Sequence, residues 1–211
     1  MPELKKLYEA VLTGDAKTAF AVTEEALAEK VDAQELVSGF MIPAMEEVGR
    51  RFEKGEYFIP ELLISARAMK SSLDLLRPIL AQRGAEPVGH VVIGTVQGDL
   101  HDIGKNLVGY ILEGGGFEVT DLGVNVSPEA FVAAVREKKA RVVGLSALLT
   151  TTMMAMKDVI EELQAAGVRH EVKVMVGGAP VTPKFAADIG ADAYGETAVS
   201  AVDTANKLLV G

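Results

Sequence analysis

Three short clusters in this chain combine residue types suited to holding a ligand. The first, Gly98-Asp99-Leu100-His101-Asp102-Ile103-Gly104, sets one imidazole between two carboxylates; the second, Ser146-Ala147-Leu148 followed by Leu149-Thr150-Thr151-Thr152, offers hydroxyls; the third, Gly177-Gly178-Ala179-Pro180, offers backbone with little bulk. A ligand meeting all three would find a nitrogen donor, hydroxyl groups and bare peptide. Taken singly, each has an ordinary explanation. Asp102 ahead of a helix can be an N-cap, Gly104 a packing glycine and Gly177-Gly178 a tight turn. What decides between these readings is whether the fold brings the clusters to one place.

The elements around them are legible as alternating strands and helices. Residues 91–96 form a β-branched, uncharged run that reads as a fully buried strand. Ile103, Leu107, Val108, Ile111 and Leu112 then recur at helical spacing up to Gly114-Gly115-Gly116. A second strand is expected over 117–122, and Ser127-Pro128 opens the next helix with a capping residue and proline at its first turn. Strands over 142–145, 172–176 and 191–194 follow, with helices over 153–165 and 182–189 and a last one reaching Leu209. Five strands alternating with helices predict a doubly wound, flavodoxin-like parallel sheet with right-handed crossovers. In such a sheet the three clusters all fall at the carboxyl edge, where α/β proteins bind ligands.

The first 83 residues carry four apolar stripes at helical spacing and predict an antiparallel four-helix bundle. Leu4, Leu7, Tyr8, Val11 and Leu12 end at Gly14. Asp15 is placed to cap a helix with Phe20, Val22, Leu27 and Val31, and Asp32 one with Leu36, Val37, Phe40, Met41, Met45 and Val48. Pro60 starts a fourth, through Leu62, Leu63, Ala66, Met69, Leu73 and Leu76. The expected division is a helical domain over 1–83, a linker over 84–87 and an α/β domain over 88–211. Phe58 stands out because it sits at a loop-to-helix corner, where a bundle can present an aromatic ring outward.

Composition narrows the function classes. A formal charge of −9 opposes nucleic-acid binding, which rests on neutralising phosphates. With no cysteine there is no disulfide, thiolate zinc site or iron–sulfur cluster, which fits a cytoplasmic protein. The apolar runs are too short to span a bilayer, so no membrane association is expected. The only histidines are His90, His101 and His170, too few and too scattered for a multi-histidine metal site. A metal, if one is used, is expected to arrive inside a cofactor.

Together these clusters resemble the corrinoid-binding fold of cobalamin-dependent methionine synthase, the mutases and the corrinoid proteins of methyltransferase systems. The Asp99-x-His101-x-x-Gly104, Ser146-x-Leu148 and Gly177-Gly178 elements are spaced as in that family, with 41 residues between the first two and 28 between the second and third. The helical half is covered too, since residues 52–61, Phe52 to Glu61 around Lys54-Gly55-Glu56-Tyr57, resemble the cap segment of methionine synthase. The resemblance implies a bound cobalamin or related cobamide, with His101 as the lower axial ligand to cobalt and Asp99 fixing its tautomer. It implies that Ser146 extends that relay or meets the nucleotide tail, whose slot Thr150, Gly177, Gly178 and Ala179 line, and that Leu148 also binds the cofactor. Gly104 would let the backbone pass close to the corrin ring, Asp102 would cap the helix or bond a corrin amide, and Gly98, Leu100 and Ile103 would also bind the cofactor. Phe58, with Leu62, would cover the upper face.

The function so implied is a methyl carrier, charged by a substrate-specific methyltransferase and discharged by a second one with tetrahydrofolate or coenzyme M as acceptor. A reductive activase is a further expected partner, and the chain is expected to act as a subunit of an enzyme system rather than as an enzyme by itself. The alternative within the same resemblance is a cobalamin-sensing regulator. It is disfavoured because no helix-turn-helix or other output module is expected here. A flavin or nucleotide protein is disfavoured by the lack of a G-x-G-x-x-G or P-loop lysine motif.

Overall fold

A computed structural model describes residues 3–82 and 87–210. Arg83 to Glu86, and with them most of the expected linker, lie outside the described residues. The chain divides into two compact units, Met1–Pro87 with Glu113–Gly116, and Val88–Leu112 with Phe117–Gly211.

The helical unit follows its caps closely. Helix α1 (Leu4–Thr13) buries Leu7, Ala10, Val11 and Leu12 and stops at Gly14. Gly14 is left-handed at φ 78°, and a Cβ there would lie 2.3 Å from Ile64, so both backbone and packing require glycine. Helix α2 (Ala16–Ala28) is capped by Asp15, which accepts from the Thr18 N–H; α3 (Ala33–Leu36) is capped by Asp32, which accepts from Gln34 and Glu35. The third expected helix is not uniform. Between α3 and α4 (Ile42–Glu53) the backbone takes one π turn, Val37–Met41. Pro43 supplies the reason, because it has no N–H for the carbonyl of Gly39 and its ring would crowd that group in a regular helix. Helix α5 (Ile59–Gln82) packs on α1 and α2. Leu62, Ala66, Met69, Leu73 and Leu76 are buried, but Phe20 on α2 is exposed, against the expected stripe.

In the second unit, strands β1 (His90–Thr95), β2 (Glu118–Asp121), β3 (Val142–Ser146), β4 (Lys173–Gly177) and β5 (Ala193–Gly195) form one parallel sheet in the order 2-1-3-4-5. Its two faces are read off successive residues. Val92, Val143 and Val174 join one core with helices α7 (Pro128–Lys138), α8 (Ala155–Ala165) and α9 (Pro183–Asp188). Val91, Val142 and Met175 point the other way, to α6 (Ile103–Gly114) and α10 (Ser200–Val210). The chain therefore leaves β1 toward one face and β3 toward the other, while β1 and β3 are paired neighbours. Their exit loops diverge and open a crevice at the carboxyl edge.

Candidate functional site

The β1–α6 loop turns at Gly98, left-handed at φ 83°, and returns at Asp99, which is fully buried. The Asp99 carboxylate is the hub of the crevice. Its Oδ1 accepts from the His101 backbone N–H at 3.0 Å and faces His101 Nδ1 at 2.7 Å. Its Oδ2 accepts from the Leu148 N–H at 2.8 Å, the Leu149 N–H at 3.4 Å and the Thr152 hydroxyl at 2.6 Å. Burial alone would raise its pKa, but the Thr152 hydroxyl, the His101 and Leu148 N–H groups and the His101 ring outweigh it and hold Asp99 well below the usual carboxylate range.

An ionised Asp99 only accepts hydrogen bonds, so Nδ1 of His101 is the donor to it and Nε2 is the ring nitrogen left to meet a ligand. The side chain is 50% exposed while its partner is buried. This is an oriented nitrogen donor: one ring nitrogen is fixed inside, the other is left for something outside the chain. Thr95, at the end of β1, donates its hydroxyl to the His101 carbonyl at 2.8 Å and steadies the loop from below.

Several apolar side chains on the loops at this edge of the sheet face solvent. Leu100 is 71% exposed and Ile103 78%, with Leu148, Leu149, Val124 and Met154 also exposed. Ile103 was expected on the buried stripe of α6; it sits instead in the first turn, and the buried stripe runs through Leu107, Ile111 and Leu112. A Cβ on Gly104 would meet nothing within 4 Å. Asp102 is at the N-cap position, its carbonyl accepting from the Asn106 N–H at 2.7 Å and its carboxylate from the Asn106 amide at 3.2 Å.

The other two clusters reach the same edge. Ser146 ends β3 in register with Thr95 and Gly177. Its hydroxyl is not among the partners of Asp99; Thr152 takes that role, one turn further along the loop. Sequence reading missed this, because 53 residues separate Thr152 from the carboxylate and nothing local marks the pairing. Thr150 and Ala179 are exposed. Gly178, at φ 132°, passes so close to β3 that a Cβ would lie 1.9 Å from the Ala147 carbonyl oxygen. Its glycine is thus demanded by the chain itself, whereas Gly104 has no such reason within the chain.

Among the described residues no group of three or more His, Cys, Asp or Glu could hold a metal ion. A single oriented imidazole, on a loop with exposed apolar side chains at Leu100 and Ile103, suits a metal that brings its own ring of ligands, such as a cobamide. The donor set, the open space at Gly104 and the exposed apolar rim all fit that group. In the helical unit, Phe58 is 63% exposed and Ile59 is exposed beside it, while Leu62 is buried and so is withdrawn from the expected cover. Phe58 is held by its backbone, whose N–H donates to Glu61 Oε2 at 2.9 Å, the N3 glutamate of α5 reaching back to its cap.

Comparison with known proteins gives two matches to models described as B12 binding domain, over residues 89–203 and 3–77. A corrinoid protein of Desulfitobacterium hafniense is 41% identical over 212 residues, covering 99% of this chain and 98% of the relative. Trimethylamine corrinoid protein 2 of Methanosarcina mazei is 45% identical over 201 residues, covering 94% and 92%. Among solved structures, a chain of the methanol:cobalamin methyltransferase complex of Methanosarcina barkeri superposes with a TM-score of 0.87 at 30% identity, over 99% of this chain and 80% of that one.

Proposed function

The chain belongs to the B12-binding corrinoid proteins, and on that premise we propose that it is the methyl carrier of a methyltransferase system, with His101 as the residue that holds its cofactor. When bound, a cobamide would supply a cobalt able to take up and give up a methyl group. The observation that carries the assignment to His101 is the pairing of a half-exposed imidazole with a buried, ionised carboxylate. Asp99 keeps the proton on Nδ1, so Nε2 is the donor toward cobalt. Thr152 and the Leu148 N–H stabilise the negative charge of Asp99 and so keep the carboxylate in the form that accepts from His101 Nδ1.

The remaining residues divide the ligand's surface among them. Leu100, Ile103 and Leu148 supply apolar contact to the ring, and Gly98, Asp102 and Gly104 border it. Ser146, Thr150, Gly177, Gly178 and Ala179 line the slot for the nucleotide tail at the β3–β4 edge. Phe58 is proposed as an apolar contact for the bound ligand, and residues 84–87 as the linker between the two domains. The partners are a substrate-specific methyltransferase, a second methyltransferase that removes the methyl group, and an activase that restores the reduced state. Relatives named for trimethylamine and dimethylamine, and a solved methanol complex, make those three donors the first to assay. No helix among the described residues is long and apolar enough to cross a membrane, and a cytoplasmic location is part of the same proposal.

The test is reconstitution of the apo-protein with a cobamide, followed by ultraviolet–visible titration of the wild type and His101→Ala. Histidine ligation and tight binding are expected in the wild type and loss of both in the variant. An unchanged spectrum and affinity in His101→Ala would overturn the assignment.

A further inference from the structure

Asn125, in the loop between β2 and α7, grips the backbone of the neighbouring β1–α6 loop from both sides of one peptide. Its Oδ1 accepts from the Gly98 N–H at 2.8 Å, and its own backbone N–H donates to the Asp99 carbonyl at 2.9 Å. It reaches both groups by taking the left-handed conformation, φ 53°, which asparagine tolerates better than most residues. The Asp99 N–H is tied to the Val96 carbonyl at 3.1 Å. The segment that aims the carboxylate is thus held at the Gly98 N–H, the Asp99 N–H and the Asp99 carbonyl.

The loop that carries Asn125 is itself anchored. Asp121, at the end of β2, accepts from the Gly123 N–H at 2.8 Å and is paired with Lys105 on the first turns of α6. The Lys105 ammonium is buried and also bonds Asn106 Oδ1 at 2.7 Å. The two loops are therefore joined at both ends, at Gly98–Asp99 and at Lys105, with His101 between the joins. A wandering Asn125 would be an ordinary turn residue; one that spends both polar groups on a neighbouring loop is a brace.

We infer that Asn125 is a positioning residue for the axial imidazole, acting through the Gly98–Asp99 backbone and anchored by the Asp121–Lys105 pair. The inference rests on His101 being the cobalt ligand. Removing the side-chain acceptor frees the Gly98 N–H and lets Asp99, and with it the ring of His101, depart from the ligating geometry.

The test uses the full chain with cobinamide in the Co(II) state, which lacks a lower base, so that axial nitrogen seen by electron paramagnetic resonance comes from the protein alone. Asn125→Gly keeps the backbone conformation and deletes the acceptor; Asn125→Asp keeps the acceptor. In Asn125→Gly the ratio of ligated to unligated cobalt is expected to fall roughly fivefold, the equivalent of one ordinary hydrogen bond, and amide exchange at Gly98 in the apo-protein to accelerate. Asn125→Asp is expected to stay within about twofold of wild type on both readouts. An unaltered ligation ratio, or unaltered Gly98 exchange, in Asn125→Gly would overturn the brace while leaving His101 as ligand. Absence of axial nitrogen in the wild type would overturn both readings at once.

Discussion

At the scale of single residues, the centre of gravity is a carboxylate rather than the imidazole it serves. Asp99 receives five donors from two loops while buried, and each donor supports its charge. Thr152→Val keeps the volume and removes the shortest of these bonds. A hydrogen bond to a charged group contributes about 1.5–3 kcal/mol, and here two N–H donors to the same oxygen remain, so a loss of about 1–2 kcal/mol is expected as a lower urea midpoint at neutral pH. The pKa of Asp99 moves up in the same variant, toward its ordinary range. Ser146→Ala, by contrast, should leave apo-protein stability nearly unchanged, because the Ser146 hydroxyl is not one of the Asp99 partners. If the two variants behaved alike, the assignment of the Asp99 partners would be wrong. Asp99 and His101 were readable in sequence because two residues of one loop carry the interaction. Thr152 was not, because its bond crosses from one loop to another and depends on how β1 and β3 release the chain.

At the scale of elements, the caps at Asp15, Asp32 and Ser127 and the buried, β-branched strands were the readable part. Asp15, Asp32, Ser127 and Thr182 each accept from an N–H in the first turn of the helix they begin. The 2-1-3-4-5 order follows from short crossovers once the strands are recognised. What local pattern did not predict is non-local or backbone-specific: the π turn forced by Pro43, the exposed Ile103, and the Asp121–Lys105 tie across α6 and β2. That tie makes a sharp prediction. Asp121→Asn leaves a buried ammonium with only neutral acceptors, and a cost of about 2–3 kcal/mol is expected in urea unfolding. In the helical unit, Glu47 bonds Arg50 and Arg51, and Arg51 reaches the Tyr57 hydroxyl at 3.1 Å, which in turn bonds the Leu12 carbonyl. The Arg50 bond first, and the Arg51 bond next, lower Glu47 from 4.5 to about 2. A depressed carboxylate stabilises above its unfolded pKa and stops doing so as pH falls through the folded one. Wild type should therefore be more stable than Glu47→Gln at pH 7, with the gap closing between pH 4.5 and about 2. A gap that is constant across that range would show that the ion pairs are idle.

At the scale of the whole molecule, the roles proposed for His101 and Phe58 make different demands on ligand binding and on the stability of the apo-protein. Linkage separates these roles. A cobamide at about 100 times its dissociation constant stabilises the folded chain by about 2.7 kcal/mol, and the shift in melting temperature reports that sum directly. With His101 as the proposed ligand, His101→Ala is expected to lose most of that shift. Phe58 is different, because it is 63% exposed without ligand. Phe58→Ala should therefore leave the melting temperature of the apo-protein nearly unchanged, since little apolar contact is lost. Burying such a side chain contributes about 1.5–3 kcal/mol, so if Phe58 covers the ligand, the cobamide-induced shift should shrink by a comparable amount, equivalent to a tenfold or greater loss of affinity. An apo-protein destabilised by Phe58→Ala with an unchanged ligand-induced shift would mean that the ring serves the bundle's own packing and that the cover lies elsewhere. Unchanged values for both would release Phe58 from any part in holding the ligand, leaving it as a surface for a partner.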